Sequence, residues 1–187
     1  MDLAIIVMLT CFAATMGSRA QALVIALEQG LRRSALLISA AVFAAAVATF
    51  AAAVLGAWFA AQLVGFARAA LIGSAFVLAA IELIWPVRQI VIREPTWSLG
   101  AIILALLVKQ LGEAPRWIAF AAAAMTSDPL KAGFGVWIGS SLALLVGWIM
   151  PSILAFERCL RWFRGATACL ALGACIYVLW VGANIGA

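Results

Sequence analysis

Two polar stretches interrupt apolar segments of the sequence, and each combines a glycine with hydrogen-bonding side chains and a cation. The first stretch covers residues 14–21 and the second covers residues 109–116. Hydroxyl, amide and carboxylate oxygens can coordinate a cation, whereas guanidinium and ammonium groups bind anions. Ionisable groups inside membrane helices often mark a pathway for ions or solutes, so these stretches form the candidate site. Its residues are Thr15, Gly17, Ser18, Arg19, Gln21, Lys109, Gln110, Gly112, Glu113 and Arg116.

The composition of the chain indicates an integral membrane protein. Of its 187 residues, 68% are hydrophobic and 10% are charged, whereas soluble domains are about half apolar and a quarter charged. Several apolar segments reach the length of about 20 residues that a helix needs to span a bilayer. A membrane β-barrel would show alternating polarity over about 10 residues, and the sequence has no such pattern. We therefore predict an all-α protein whose surroundings are the lipid bilayer.

Several function classes are disfavoured by the residue types present. The net charge of +5 does not indicate a nucleic-acid partner, because the cations are concentrated in short loops between apolar segments. The chain has no histidine, and its four cysteines show no C-x-x-C spacing. We find no nucleophile–base pair and no glycine-rich phosphate loop. The sequence therefore predicts neither an enzyme nor a bound cofactor.

Turn and capping signals divide the apolar segments into six predicted spans. Pro86 ends the third span, and the sequence from Thr126 to Pro129 is a typical helix start. Gly112 and Pro115 predict a break in the middle of the fourth span, where freed backbone oxygens can line a cavity. The predicted spans lie at about 3–27, 35–60, 68–85, 97–125, 129–156 and 165–180.

The two halves of the chain share features at a constant offset. Gly17 and Gly112 differ by 95 positions, and so do Trp85 and Trp180, which close the third and sixth spans. When a unit of three spans is repeated, the second copy is inverted in the membrane. We therefore predict two inverted three-helix repeats whose polar stretches meet at the midplane. The repeats are residues 1–86 and 99–187, and the central cytoplasmic linker is residues 87–98.

The loop cations predict an orientation in the cell (inner) membrane. Three loops carry seven arginines, while the opposite side carries only Arg68 and Lys131. The positive-inside rule then places the three basic loops in the cytoplasm and both termini outside. The cytoplasmic loops are predicted at residues 28–34, 87–98 and 157–164.

Small residues recur at four-residue spacing along the fifth span and allow another helix to approach closely. Gly135, Gly139 and Gly147 belong to this stripe, which is therefore a candidate interface for a homo- or hetero-oligomer. A second stripe in the sixth span contains Gly165, Cys169 and Gly173.

The second polar stretch has charges spaced along one face of a continuous helix. Lys109, Glu113 and Arg116 are four and three residues apart, so Glu113 could pair with either cation. A structural salt bridge is the plainer interpretation, and an ion or solute pathway is the functional one. Glu82, one turn from the end of the third span, is interpreted as a snorkelling or capping group.

On these residues the chain resembles the Gdt family of membrane proteins, in which two three-helix repeats each begin with a Glu-x-Gly-Asp-Lys/Arg-Ser/Thr motif. The resemblance covers essentially the whole chain through its length, its repeat spacing and its short charged linker. In the first copy Gly17 and Arg19 match the motif, whereas Thr15, Ser18 and Ala20 stand in place of Glu, Asp and the hydroxyl residue.

In the second copy of the motif, Gly112 is kept and Glu113 replaces Asp. Gln110, Ala114 and Pro115 stand in place of Glu, the cation and the hydroxyl residue. Three of the four acids of the family pattern are therefore replaced in this chain, and these acids would supply the oxygen ligands of a hard cation.

The resemblance implies an exchanger of manganese or calcium against protons, with Glu113 as the titratable group. It implies metal ligands at Glu113, Gln110, Thr15 and Ser18. The three cations Arg19, Lys109 and Arg116 instead favour an anion, or a zwitterion such as an amino acid, as the transported species. A third hypothesis is a non-transporting paralogue that serves as an assembly partner.

Overall fold

The computed structural model describes residues 3–31, 35–86, 98–152 and 157–185. This part of the chain contains eight α-helices and no strand, which confirms the predicted all-α class. The helices are α1 (Leu3–Thr15), α2 (Arg19–Leu31), α3 (Ala35–Ala61), α4 (Gly65–Ile84), α5 (Leu99–Leu111), α6 (Ala114–Thr126), α7 (Pro129–Ile149) and α8 (Glu157–Ile185).

Four of these helices, α3, α4, α7 and α8, are long and apolar enough to cross a membrane. The pair α1 and α2 is bent by 58°, and it provides a fifth span if the two are counted as one broken helix. The protein is therefore a helical membrane-embedded protein. Its element order repeats, because two short helices are followed by two long ones in each half.

The first predicted span, residues 3–27, is not one helix. α1 ends at Thr15, and α2 begins at Arg19 after a turn in which Gly17 adopts a φ of +71°. This left-handed conformation is readily adopted by glycine and interrupts the helical hydrogen bonds. The break predicted in the fourth span is confirmed, since α5 ends at Leu111 and Pro115 lies in the first turn of α6.

Other predicted boundaries are also corrected. α2 continues through Gly30 to Leu31, while residues 32–34 and 87–97 lie outside the described residues. α7 ends at Ile149 rather than near residue 156. The predicted loop at residues 157–164 instead forms the first two turns of α8. Charged residues such as Glu and Arg are good helix formers, so a charged run does not by itself end a helix.

The packing of α7 against α1 corrects the expectation of an oligomer interface. A Cβ atom at Gly135 would lie 2.9 Å from the Ala4 carbonyl oxygen, and one at Gly139 would meet the Met8 carbonyl oxygen. Gly147 lies against the side chain of Gln21. The glycine stripe is thus covered by helices of the same chain, where it permits close backbone contact.

Candidate functional site

The two helix breaks lie against each other in the interior of the protein. The backbone N–H of Ala20, in the first turn of α2, donates a hydrogen bond of 2.6 Å to Glu113 Oε1. Glu113 is the residue immediately before α6 and is 1% exposed. The structure therefore brings the two predicted polar stretches together at two helix N-termini, whose unpaired N–H groups carry partial positive charge.

Local hydrogen bonds explain why α2 begins where it does. Ser18 Oγ accepts a bond of 3.2 Å from the backbone N–H of Gln21, and Gln21 Oε1 accepts one of 2.6 Å from Gly17 N–H. This reciprocal arrangement resembles a capping box. Gln21 Nε2 also donates to the Ala143 carbonyl of α7 at 2.7 Å. Ser18 and Gln21 thus hold the break in α1–α2 and fix it to α7.

The start of α6 is bound by a carboxylate from another helix. Glu82 Oε2, on α4, accepts a hydrogen bond of 3.1 Å from the backbone N–H of Ala114. Each of the two helix N-termini therefore faces a buried carboxylate, Glu113 at α2 and Glu82 at α6. This placement is electrostatically favourable because anions are stabilised near the positive end of a helix. Glu82 therefore caps the N-terminus of α6, a helix other than its own.

Arg164 of α8 joins Glu82 to the first break. Its guanidinium forms an ion pair with Glu82 Oε1 at 3.3 Å, and its side chain is 6% exposed. The same group donates to the carbonyl oxygens of Glu82 at 2.9 Å, Leu83 at 3.2 Å and Gly17 at 3.4 Å. Arg164 therefore connects α8, the end of α4 and the turn between α1 and α2.

The second break is bridged by Gln110 and Arg116, both of which are buried. Arg116 Nη2 donates to Gln110 Oε1 across the break, and Gln110 Nε2 donates to the Ala41 carbonyl of α3 at 3.2 Å. These bonds connect α5 to both α6 and α3. Arg116 Nε and Glu113 Oε2 have no hydrogen-bond partner among the described residues.

The remaining predicted site residues lie at the edge of this centre or outside it. Thr15 is buried, and its hydroxyl donates to the Cys11 carbonyl of its own helix at 2.7 Å. Arg19 is half-buried. Lys109 is exposed and forms no ion pair with any described residue, so the predicted pairing with Glu113 is wrong. Because the chain turns at Gly112, spacing along a continuous helix does not apply across this point.

Glu82 and Arg164 are not among the predicted site residues. Arg164 is predicted to lie in a charged loop, although Thr167, Ala168, Ala171 and Cys175 continue its buried face at helical spacing. Glu82 likewise continues the buried face of Ala75 and Ala79. This periodicity is the sequence signal that could have identified both residues.

The four buried charges at the two breaks are balanced. The carboxylates of Glu82 and Glu113 are matched by the guanidinium groups of Arg116 and Arg164, and all four residues are buried. Of the three cations expected at the centre, Arg116 is buried, whereas Arg19 is half-buried and Lys109 is exposed. A charge at the bilayer centre costs about 2.5–3.5 kcal/mol on insertion scales, so a balanced set is much less costly than a net charge.

Three of the four predicted metal ligands accept hydrogen bonds from other groups of the protein. Ser18 Oγ, Gln110 Oε1 and Glu113 Oε1 each already accept a hydrogen bond. Among the described residues there is no group of three or more Asp, Glu, Cys or His side chains that could hold a metal ion. Calcium takes about 6–8 oxygen ligands and prefers carboxylates. The donors at this centre are instead mainly N–H groups.

No family model, curated protein or solved structure matches the chain. The likeness to the Gdt family therefore rests on the residue motifs and the repeat spacing.

Proposed function

We propose that the protein is a multi-pass membrane transporter for a small charged or dipolar solute. The observation that carries this proposal is the buried hydrogen bond between Ala20 of α2 and Glu113 before α6, which places two helix breaks face to face. Transporters commonly bind their substrates between discontinuous helices, with half-helix N-termini directed at the substrate. A purely structural protein has no comparable need for two broken helices surrounded by buried charge.

Two inverted repeats would explain how the breaks come to face each other. Trp137 Nε1 on α7 donates to the Val42 carbonyl of α3 at 3.2 Å, and these residues are 95 positions apart, like Gly17 and Gly112. Equivalent residues of two repeats touch only near the axis that relates them. The equivalent helices also pack together, α3 against α7 and α4 against α8. With α1–α2 and α5–α6 each taken as one broken span, the chain has six spans.

Transport would proceed by alternating access, in which one repeat moves against the other around the central site. In this proposal the protein lies in the cell (inner) membrane, with both termini on the outer side and the linker at residues 87–98 in the cytoplasm. The bonds of Arg164 to Glu82 and Gly17 join elements of both repeats, so they are the contacts that such a movement must rearrange.

The donor-rich chemistry of the centre favours an anion or a zwitterion as the transported species. Two helix N-termini and the guanidinium groups of Arg116 and Arg164 surround it, whereas most of its side-chain oxygens are already bonded.

A Gdt-type exchange of manganese or calcium against protons is the second candidate. It is favoured by the two carboxylates of Glu82 and Glu113 at the same end of α6. In this alternative Glu113 binds a cation or a proton in turn.

Flux measurements in proteoliposomes test the proposal. Manganese, calcium, small carboxylate anions and small amino acids are offered to the wild type and to Glu113→Gln. We expect saturable flux of at least one solute and its loss in Glu113→Gln. Lys131→Gln is the control, because the Lys131 side chain is 82% exposed and pairs with Asp128 before α7. Full activity of Glu113→Gln would contradict the proposal, and a lack of flux for every solute would favour the non-transporting assembly partner.

A further inference from the structure

Two charged side chains at the helix breaks each retain an atom without a partner. Within the described part of the chain no hydrogen bond reaches Glu113 Oε2 or Arg116 Nε, although the Ser18 hydroxyl lies beside the Glu113 carboxyl group. The residues are only 1% and 3% exposed, respectively. Buried polar atoms of native proteins are nearly always bonded, so an unpartnered pair in one place calls for a physical explanation.

The two unpartnered atoms are opposite in character and belong to neighbouring positions. Glu113 precedes α6 and Arg116 is its third residue, with the backbone N–H of Arg116 bonded to the Glu113 carbonyl at 3.0 Å. One atom is an anionic acceptor and the other is a cationic donor. A ligand that bonds to both must therefore offer a cationic donor and an anionic acceptor.

The surrounding charges restrict the net charge of that ligand. Glu82 of α4 is paired with Arg164 of α8, and Glu113 is balanced by Arg116. Glu82 of α4 and Cys11 of α1 also interact electrostatically with these two side chains. An anion or a divalent cation would leave the buried centre with a net charge, whereas a dipolar solute would not.

We propose that the transported solute is a small zwitterion of the α-amino acid type. Its ammonium group bonds to Glu113 Oε2 and its carboxylate bonds to Arg116 Nε. This inference rests on the proposed transport function and names the substrate class of the same site. A simple carboxylate would leave Glu113 Oε2 unpartnered, and a simple amine or a metal ion would leave Arg116 Nε unpartnered.

Uptake by proteoliposomes of the full chain tests the substrate class. The probes are glycine and alanine, with acetate and methylammonium as analogues that carry only one of the two charges, and manganese as the divalent cation. We expect saturable uptake of glycine or alanine, and uptake of both single-charge analogues that is slower by about 100-fold or more, because a site built for two polar groups rejects a ligand that lacks one.

Two variants assign the contacts. Glu113→Gln removes the partner of the ammonium group, so it should lose amino-acid uptake and take up acetate faster than the wild type does. Arg116→Gln should lose amino-acid uptake and take up methylammonium faster. These reversed preferences would not follow from a loss of folding. Lys131→Gln should behave as the wild type, and elution of each variant as a single species from gel filtration checks its folding.

The pattern of uptake among the probes separates the substrate class from the transport function. Uptake of acetate or manganese by the wild type, without uptake of glycine or alanine, would overturn the zwitterion while leaving the transporter intact. Absence of uptake for every probe would overturn the transporter as well. If either variant fails to fold, the selectivity of the wild type among the probes decides whether the substrate is a zwitterion.

Discussion

Glu113 Oε1 accepts a hydrogen bond of 2.6 Å from the backbone N–H of Ala20, and the two residues are 93 positions apart. The bond joins the N-cap residue of one short helix to the first turn of another, inside a protein with otherwise largely apolar helices. A substitution that moves one break should therefore also change the structure of the other.

The buried ion pair between Glu82 and Arg164 should be important for stability. Arg164→Leu leaves the Glu82 carboxylate buried without its cation, and it also removes bonds to the carbonyls of Leu83 and Gly17. Removing one partner of a buried pair typically costs about 3–5 kcal/mol. We expect a loss of this size in the free energy of unfolding, measured by denaturant titration in mixed micelles.

The exposed ion pair between Lys131 and Asp128 is the control for this measurement. Its lysine side chain is 82% exposed, so Lys131→Gln should change the free energy of unfolding by less than about 1 kcal/mol. A double variant, Glu82→Leu with Arg164→Leu, should recover part of the loss because no unpaired charge remains. An effect of Arg164→Leu no larger than that of Lys131→Gln would show that the buried pair is not structurally important.

The two helix breaks differ in how far the sequence reveals them. Pro115 lacks the N–H that a helix interior needs, and it follows Gly112 closely, so the second break is predictable from local chemistry. No proline marks the first break. Ser18 and Gln21 form the capping arrangement there, but a single Ser-x-x-Gln pattern within an apolar segment does not decide between a cap and a continuous helix.

The composition of the site is less predictable than its location. The two polar stretches lie together, as the offset between Gly17 and Gly112 predicts. Arg164 and Glu82 belong to other helices, and their participation depends on how α8 and α4 pack against the breaks. The position of Lys109 relative to Glu113 is wrongly predicted for a related reason. It depends on the turn of the chain at Gly112, which lies between the two residues.

Gly139 of α7 and Gly173 of α8 should respond differently to an added methyl group. A Cβ at Gly139 would collide with the carbonyl oxygen of Met8, which is backbone and cannot rotate away. Gly139→Ala should therefore cost about 1–3 kcal/mol through overpacking. A Cβ added at Gly173 would have no atom within 4 Å, so Gly173→Ala should be neutral or stabilising by up to about 1 kcal/mol through helix propensity.

Thermal unfolding in one detergent gives both values, and the pair controls for the general effect of replacing glycine by alanine in a helix. Equal destabilisation by Gly139→Ala and Gly173→Ala would contradict the close contact between α7 and α1.

Asp128, which precedes α7, should contribute a pH-dependent part of the stability. Its carboxylate accepts a hydrogen bond of 3.1 Å from the backbone N–H of Lys131, and this bond together with the Lys131 ammonium group lowers the pKa of Asp128. The contribution is therefore fully present above the ordinary aspartate pKa of about 3.9 and is lost as the pH falls through the lowered value in the folded state.

Asp128→Asn keeps a good N-cap residue but removes the titration. The difference in melting temperature between the wild type and Asp128→Asn should be constant above about pH 5 and should decrease as the pH falls below about 3.9. A difference that does not change with pH would show that the Asp128 carboxylate is not stabilised as a charged group.

Cys159 provides a test of the proposed orientation. Cys159 and Cys169 are exposed on α8, whereas Cys11 and Cys175 are buried. Cys159 is near the start of α8, on the side proposed to face the cytoplasm, and an accessible thiol there can react with maleimide. Cys169 lies farther along the same apolar helix, where a lipid-facing thiol is not accessible to a water-soluble reagent.

We expect a membrane-impermeant maleimide to label a variant that retains only Cys159 in inside-out vesicles at least about tenfold faster than in intact spheroplasts. A variant that retains only Cys169 is the matched control and should react slowly in both preparations. Faster labelling of Cys159 in spheroplasts would reverse the orientation, and both termini would then lie in the cytoplasm. Because an even number of spans places the two termini on one side, this single measurement orients the whole chain if the six-span arrangement holds.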